Sequence, residues 1–319
     1  MKNNRDWNSI NSLEIFFHGL IMGTINKLPG ISGGLYSIVI GFYDHLMNSI
    51  KNINNNSIKN LFRFDFKKLN NSINGKFLFF LSLGMIISYF TTSKILDFFL
   101  INYELYVWSI FFGLILGSLY VLIKRTNKTD LRKLLILFIG LSFGLLLSFS
   151  EPMMENRALA FVFFCGFISI CGITIPGLSG SFILILLGNY ELLLVDAVNS
   201  FFDLIANIFK NENYPIDNEL IKILIIFFLG SVVGLIILSK FLSFVLKKYP
   251  IHLNHLIIGF VLGTLPIVWP WNKVEAGEEL PTMFNNFYGL IFILASFIII
   301  ILLNNNVEKK NIRSNWEEH

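Results

Sequence analysis

Apolar positions in this chain gather into long runs, and polar positions collect between them. After a polar start over residues 1–12, two apolar pieces at about 13–28 and 30–47 flank a Pro-Gly break. A basic, Asn-rich loop follows over 48–76. Three apolar runs come next, at about 77–96, 105–123 and 133–149. The pattern then restarts with a second broken pair at about 158–175 and 177–195, and a longer, more acidic loop over 196–218. Runs at about 219–239, 253–269 and 285–303 precede a polar tail from Asn304. Runs that approach or exceed about 18 apolar residues predict bilayer-crossing helices. The expected fold is therefore an all-α polytopic membrane protein.

The restart is a repeat. Gly19–Leu46 and Gly166–Leu193 align without a gap at an offset of 147. Pro29-Gly30 falls on Pro176-Gly177, Ser32-Gly33 on Ser179-Gly180, Gly41 on Gly188 and Tyr43 on Tyr190. With one residue deleted the offset becomes 146; Gly84 then meets Gly230, and Ser93-Lys94 meets Ser239-Lys240. Gly113 and Gly117 meet Gly259 and Gly263, a spacing that sets small residues on one helix face for close packing in lipid. Each repeat holds five segments: a broken or re-entrant helix pair and three transmembrane helices. The expected organisation is a first repeat over 1–149, a second over 150–303 and a polar tail over 304–319, all within one membrane domain. The short halves of each broken pair, about 15 residues before glycine or charge intervenes, favour re-entrant hairpins over full crossings.

Composition agrees: 319 residues, 54% hydrophobic, 34 Phe and a mean hydropathy of +0.66 exclude an ordinary soluble domain. Cys165 and Cys171 share one apolar run and read as reduced core residues. No cleavable signal peptide is evident in the polar N-terminus. The net charge of +4 is no nucleic-acid signature, because the basic residues sit in the loops. Most of the 25 Lys and Arg lie in 1–12, 48–76, the loop near 124–132, 240–252 and the tail, while the alternate loops hold only Lys94, Arg157, Lys210, Lys222 and Lys273. By the positive-inside rule both termini are cytoplasmic. Because five segments is an odd number, the second repeat enters from the opposite face, so the repeats are inverted. The topology has a direct test. In a background without the native cysteines, Ser57→Cys and Asn315→Cys should resist an impermeant thiol reagent in intact cells, and Asn211→Cys should react. Labelling of position 57 from outside would sink it.

A broken helix in lipid frees backbone groups that must be satisfied, and inverted repeats with such breaks are common in secondary transporters. Pro29 and Pro176 stop one helix, and the following Gly-x-Ser-Gly opens another. A helix start offers free N–H groups and the positive end of the dipole to an anion, above all phosphate. Candidate binding residues are Asn26, Lys27, Pro29, Gly30, Ser32, Gly33 and Gly34 in the first copy, with Thr174, Pro176, Gly177, Ser179, Gly180 and Ser181 in the second. The plainer alternative is that Ser32 and Ser179 only cap their own helices. Lys27, flanked by apolar sequence, could pair with a phosphate; alternatively it snorkels or meets Asp44 or Glu14. Asp44 and Glu191 align at the ends of the broken pairs, where a carboxylate could take a coupling proton or cation, or could simply mark the membrane interface. The histidines are not duplicated and give no metal spacing. Gly30-Ile31-Ser32-Gly33-Gly34 matches the hydrolase G-x-S-x-G pattern, but no strand precedes it and no aligned histidine supports a catalytic serine. The sequence thus predicts no catalytic residue, no metal and no cofactor.

At the two motifs, NKLPGISGG with GFYD and IPGLSGSFILILLGNYE, the chain resembles the polyprenyl-phosphate transporter family of bacteria and archaea. The resemblance covers essentially the whole chain. It implies translocation of undecaprenyl phosphate from the outer to the inner leaflet of the cytoplasmic membrane, for reuse in cell-envelope synthesis. The implied partners are that lipid, the surrounding membrane and a coupling proton or cation, with no nucleic acid. Family members usually carry an acid three residues before the proline; Asn26 stands there in this chain, followed by Lys27, which moves any ion coupling to Asp44 or Glu191. From the residues alone, a transporter or channel for a small soluble anion is the rival reading.

Overall fold

The computed structural model describes residues 7, 10–52, 63, 65–126, 130–149, 154–174, 179–210, 217–272 and 283–316. The first copy of the motif builds α1 (Ser12–Lys27), α2 (Gly33–Ile40) and α3 (Tyr43–Lys51). A short helix α4 (Phe66–Ile73) leads into α5 (Gly75–Arg125), then α6 (Leu131–Phe149). The second copy builds α7 (Leu159–Ser169), α8 (Cys171–Thr174) and α9 (Gly180–Leu186). A π-helical turn, Leu192–Asp196, then runs into α10 (Ala197–Lys210). The chain closes with α11 (Asn218–Lys248), α12 (Pro250–Thr264), two 3₁₀ turns (Leu265–Val268 and Pro270–Asn272) and α13 (Met283–Trp316). Among the described residues there is no strand. Among the described residues, six helical stretches are long and apolar enough to cross a membrane: Gly75–Lys124, Leu131–Phe149, Leu192–Phe209, Asn218–Leu235, Ile251–Val268 and Asn285–Asn305. Phe79, Phe98, Phe138, Phe143, Phe228 and Phe287 lie exposed on them, as expected where lipid is the solvent.

Local chemistry explains most boundaries. α1 ends at Lys27 because Leu28 precedes Pro29, and the lysine suits the negative end of the helix dipole. α2 and α9 stop at Gly41 and Gly188, which take positive φ of 97° and 70°. In each case the next amide reaches back to close the helix end, Phe42 to Ser37 O and Asn189 to Leu184 O, both at 3.0 Å. α5 carries a non-helical residue at Tyr103 (φ −144°, ψ 41°), which divides it where the two runs at 77–96 and 105–123 were separated. Asp65 caps α4 and pairs with Lys68 at 2.8 Å; the lysine side chain and amide hold this carboxyl below its ordinary range.

Three expectations need correction. The stretch 196–218 is not all loop: α10 occupies Ala197–Lys210 with an apolar side and is part of a candidate span, its polar positions being the outer face of an amphipathic helix. The pieces 30–47 and 177–195 are not single helices, because Gly41 and Gly188 break each again. The polar stretch 48–76 holds the end of α3 and all of α4.

Contacts gather the chain into two bodies. Met1–Ile25, Gly33–Thr92 and Asn304–His319 make the first; Asn26–Ser32 and Ser93–Leu303 make the second. The first body packs Trp7, Ile15, Met22, Phe42, Leu46, Phe77 and Leu81 into its core. Trp7 meets Phe42 edge-on at 5.3 Å and donates to Gly41 O at 3.2 Å. α1 lies so close to α5 that a β-carbon on Gly19 would strike Leu81 O, and one on Gly84 would strike Phe16 O. Thr24 Oγ1 bridges the same pair, 2.7 Å from Ser88 Oγ and 3.1 Å from Thr92 Oγ1.

The second body repeats this device. Gly166 lies against Phe227 O and Gly230 against Phe163 O, seaming α7 to α11. The two G-x-x-x-G faces pack as the spacing predicts. Gly113 and Gly117 take α13 at Ile293 and Ile300, while Gly259 and Gly263 take α6 at Leu137 and Leu141.

Candidate functional site

Within the second body, Gly30 of the first motif contacts Ser179 of the second. Pro29 is buried, and Gly30 takes a φ of +86° that a β-carbon would oppose. Gly30 is also wedged against α5: a β-carbon there would lie 2.8 Å from Ile115 N and from Leu114 C and O. Ser118 Oγ donates to Gly30 O. The Gly30 N–H donates to Ser179 Oγ at 2.9 Å, a bond between residues 149 apart. Gly30 of the first motif and Ser179 of the second therefore meet directly, backbone to side chain.

Ser179 is also the N-cap of α9. Its backbone is extended (φ −100°, ψ 147°), and Oγ accepts from Phe182 N at 3.2 Å. Capping and crossing are thus done by one hydroxyl. Ser181 Oγ lies 3.2 Å from it, and both serines are buried. The helix start is closely backed by protein: Gly172 abuts the Gly180 amide, and a β-carbon on Gly180 would lie 2.6 Å from Ser169 O.

Lys27 is fully buried. Its Nζ donates to Leu194 O in the π turn at 2.5 Å, and its own carbonyl accepts from Tyr190 OH at 3.0 Å. Ser93 Oγ, on α5, lies 3.0 Å from both Leu194 O and Val195 O. A π turn inserts one residue into the α-helical ladder and leaves a carbonyl without its usual amide partner. Here side chains from two other elements supply donors. Tyr190 is held edge-on by Phe111 at 5.6 Å.

Of the other candidates, Asn26 and Ser32 are half-buried in the second body, while Gly33 and Gly34 open α2 in the first. Pro176 and Gly177 lie outside the described residues, as do the side chains of Thr174 and Asp44. Glu191 is exposed and directly precedes the π turn.

A family model described as undecaprenyl phosphate translocase-like matches residues 22–284. The chain belongs to that family. Among its relatives, one from Vibrio cholerae serotype O1, named polyprenyl-phosphate transporter, is 33% identical over 87% of this chain and 86% of its own. Another of the same name, from Staphylococcus aureus, is 25% identical over 89% of this chain and 93% of its own. No solved structure matches. With its apolar helices, membership marks a multi-pass membrane protein of a transporter family.

Reasoning from sequence passed over Ser93, Ser118, Tyr190 and the carbonyls of Leu194 and Val195. A signal existed for two of them. Ser93 aligns with Ser239 and Tyr190 with Tyr43, so both belonged to the duplicated positions. The carbonyls had none, since a π turn leaves no mark in an apolar run.

Proposed function

We propose that this protein returns undecaprenyl phosphate from the outer to the inner leaflet of the cytoplasmic membrane for reuse in cell-envelope synthesis. The observation that carries the reading is the Gly30 N–H to Ser179 Oγ bond, because it puts donors of both motifs at one place. A phosphate oxygen there would take the Gly30 amide and the Ser179 and Ser181 hydroxyls in exchange for bonds these groups now make with each other. Lys27 would add positive charge nearby, and Pro29 and Gly30 would hold the backbone open at the break. Asn26, Ser32, Gly33, Gly34, Thr174, Pro176, Gly177 and Gly180 complete the proposed binding stretches on sequence grounds. The names of the two relatives support the lipid as cargo.

The proposed mechanism is alternating access by two inverted repeats, 1–149 and 150–303, with broken or re-entrant pairs entering from opposite faces and both termini in the cytoplasm. Support comes from contacts that recur at the repeat offsets. Gly19 on Leu81 and Gly84 on Phe16 correspond to Gly166 on Phe227 and Gly230 on Phe163. The fifth helices are exchanged in the same spirit: Gly113 of the first repeat packs on α13, and Gly259 of the second on α6. Asp44 and Glu191 are the proposed carriers of a coupling proton or cation.

The test is leaflet-resolved transport of labelled polyprenyl phosphate in proteoliposomes, with and without ion gradients. Movement of the phosphate but not of the neutral prenyl alcohol is expected. Transport of inorganic phosphate with the lipid left in place would favour the soluble-anion reading and overturn this one.

A further inference from the structure

We propose that Trp269 and Phe112 form a grip for the prenyl chain of the lipid, beside the place where Gly30 meets Ser179. The inference rests on the transport reading above and adds how the tail is recognised. In a bilayer, apolarity alone gives a protein no preference for one chain over another, because the surrounding tails are as apolar as Leu. Selecting a prenyl chain needs a property that saturated tails lack. Isoprene units carry double bonds and methyl branches, and an aromatic face held in place can meet both.

The second body displays such a face. Phe112 of α5 meets Trp269 edge-on at 5.2 Å, and the Trp269 ring lies 5.0 Å from that of Trp271. Phe112 is buried, whereas Trp269 is 41% exposed. The sequence Leu-Pro-Ile-Val-Trp-Pro-Trp-Asn over 265–272 makes this display rigid. Pro266 and Pro270 lie in the first residues of the two 3₁₀ turns, and Pro270 confines Trp269 to an extended backbone (φ −64°, ψ 119°). Val268 and Pro270, on either side, are buried. Trp269 O accepts from Asn272 N at 3.0 Å, and Trp271 Nε1 donates to Asn286 Oδ1 at 2.6 Å. A ring presented on so stiff a backbone loses little freedom when a chain settles on it.

Its position favours the carried lipid as occupant. α9, which Ser179 caps, packs against the turn Leu265–Val268 that leads into Trp269. Phe112 stands two residues before Leu114, whose carbonyl abuts Gly30. Both partners of the Gly30–Ser179 bond therefore lie against elements that carry the grip. A phosphate head taken there would bring its first isoprene units towards Trp269. The repeat adds a direction. At the offset of 146, Trp269 corresponds to Ile123, which lies inside α5, so the first repeat has no equivalent turn at that position. In the proposed topology the loop after Trp269 is on the outer side, so the grip serves loading from the outer leaflet.

The experiment compares two lipids in proteoliposomes, polyprenyl phosphate and a saturated straight-chain alkyl phosphate, which share a head and differ in the tail. Trp269→Leu keeps an apolar residue and removes the ring. It should raise the half-saturating concentration of polyprenyl phosphate roughly threefold to tenfold and leave that of the alkyl phosphate unchanged. Trp269→Phe keeps a ring and should restore most of the loss. In parallel, purified full-length wild type in detergent is photolabelled with polyprenyl phosphate carrying a diazirine in the isoprene unit next to the head. The label should fall on Trp269 or Phe112. The proposal is overturned if Trp269→Leu weakens both lipids equally, as loss of a plain interfacial anchor would, if it weakens neither, or if the label falls elsewhere. Should Trp269→Leu not fold, the photolabel decides. If wild type moves neither lipid, the transport reading fails, and the photolabel still decides whether the grip exists.

Discussion

Gly30→Ala is expected to destabilise the protein severely and to abolish transport, whereas Gly41→Ala should be tolerated. The two glycines share one property and differ in another. Both hold positive φ, +86° at Gly30 and +97° at Gly41, a region that costs an L-residue roughly 1–2 kcal/mol. Around Gly41 a new β-carbon meets nothing within 4 Å, so conformational strain is the whole penalty. At Gly30 the same carbon lies 2.8 Å from backbone atoms of Leu114 and Ile115. Backbone cannot rotate away as a side chain can, so segment 26–32 or α5 has to move. Overpacking of this kind adds about 1–3 kcal/mol, and relief by displacement would stretch the bonds of Gly30 to Ser118 and Ser179. The expected total of about 2–5 kcal/mol is enough to deplete folded protein. Thermal unfolding in detergent, read beside proteoliposome transport, checks both variants. Equal losses at the two positions would mean that the close approach at Gly30 carries no weight.

The hydrophobic pattern made the membrane class legible, and the duplication located the two breaks. Both succeed for physical reasons. A bilayer demands apolar runs of fixed length, and proline with glycine imposes backbone geometry that few other residues allow. Glycine seams were legible too, since Gly113, Gly117, Gly259 and Gly263 matter by lacking a side chain. The failures share a cause. Acidic residues made 196–218 look like a loop, although the polar positions of Ala197–Lys210 leave an apolar stripe on α10. The π turn was invisible because Leu192, Leu193, Leu194 and Val195 fit an α-helix equally well. Lys27 was legible as important and illegible in its contact. Its ammonium donates to the main-chain oxygen of Leu194, an acceptor that every residue type possesses and that no sequence pattern announces.

The serines of the second motif separate scaffold from binding, and a three-variant series should show it. Ser179 Oγ accepts from Phe182 N at the start of α9 and from Gly30 N across the motifs. Ser179→Ala removes both bonds. Loss of an N-cap costs about 0.5–2 kcal/mol, and a buried amide left without a partner costs about 1–3 kcal/mol more. This variant should lose stability and transport together. Ser179→Thr keeps the hydroxyl and should recover much of each. Ser181 is a different case. Its hydroxyl lies 3.2 Å from Ser179 Oγ, yet neither the cap nor the crossing bond passes through it. Ser181→Ala should therefore leave the unfolding temperature nearly unchanged. If the phosphate head takes this hydroxyl, losing a hydrogen bond to a charged oxygen, worth about 1.5–3 kcal/mol, should raise the half-saturating lipid concentration roughly tenfold or more. The maximal rate should change less, because a group that only holds the head acts on binding. Transport by Ser181→Ala with wild-type saturation would remove Ser181 from the headgroup site. Loss of folding in Ser181→Ala would instead show that this hydroxyl belongs to the scaffold, as Ser179 does.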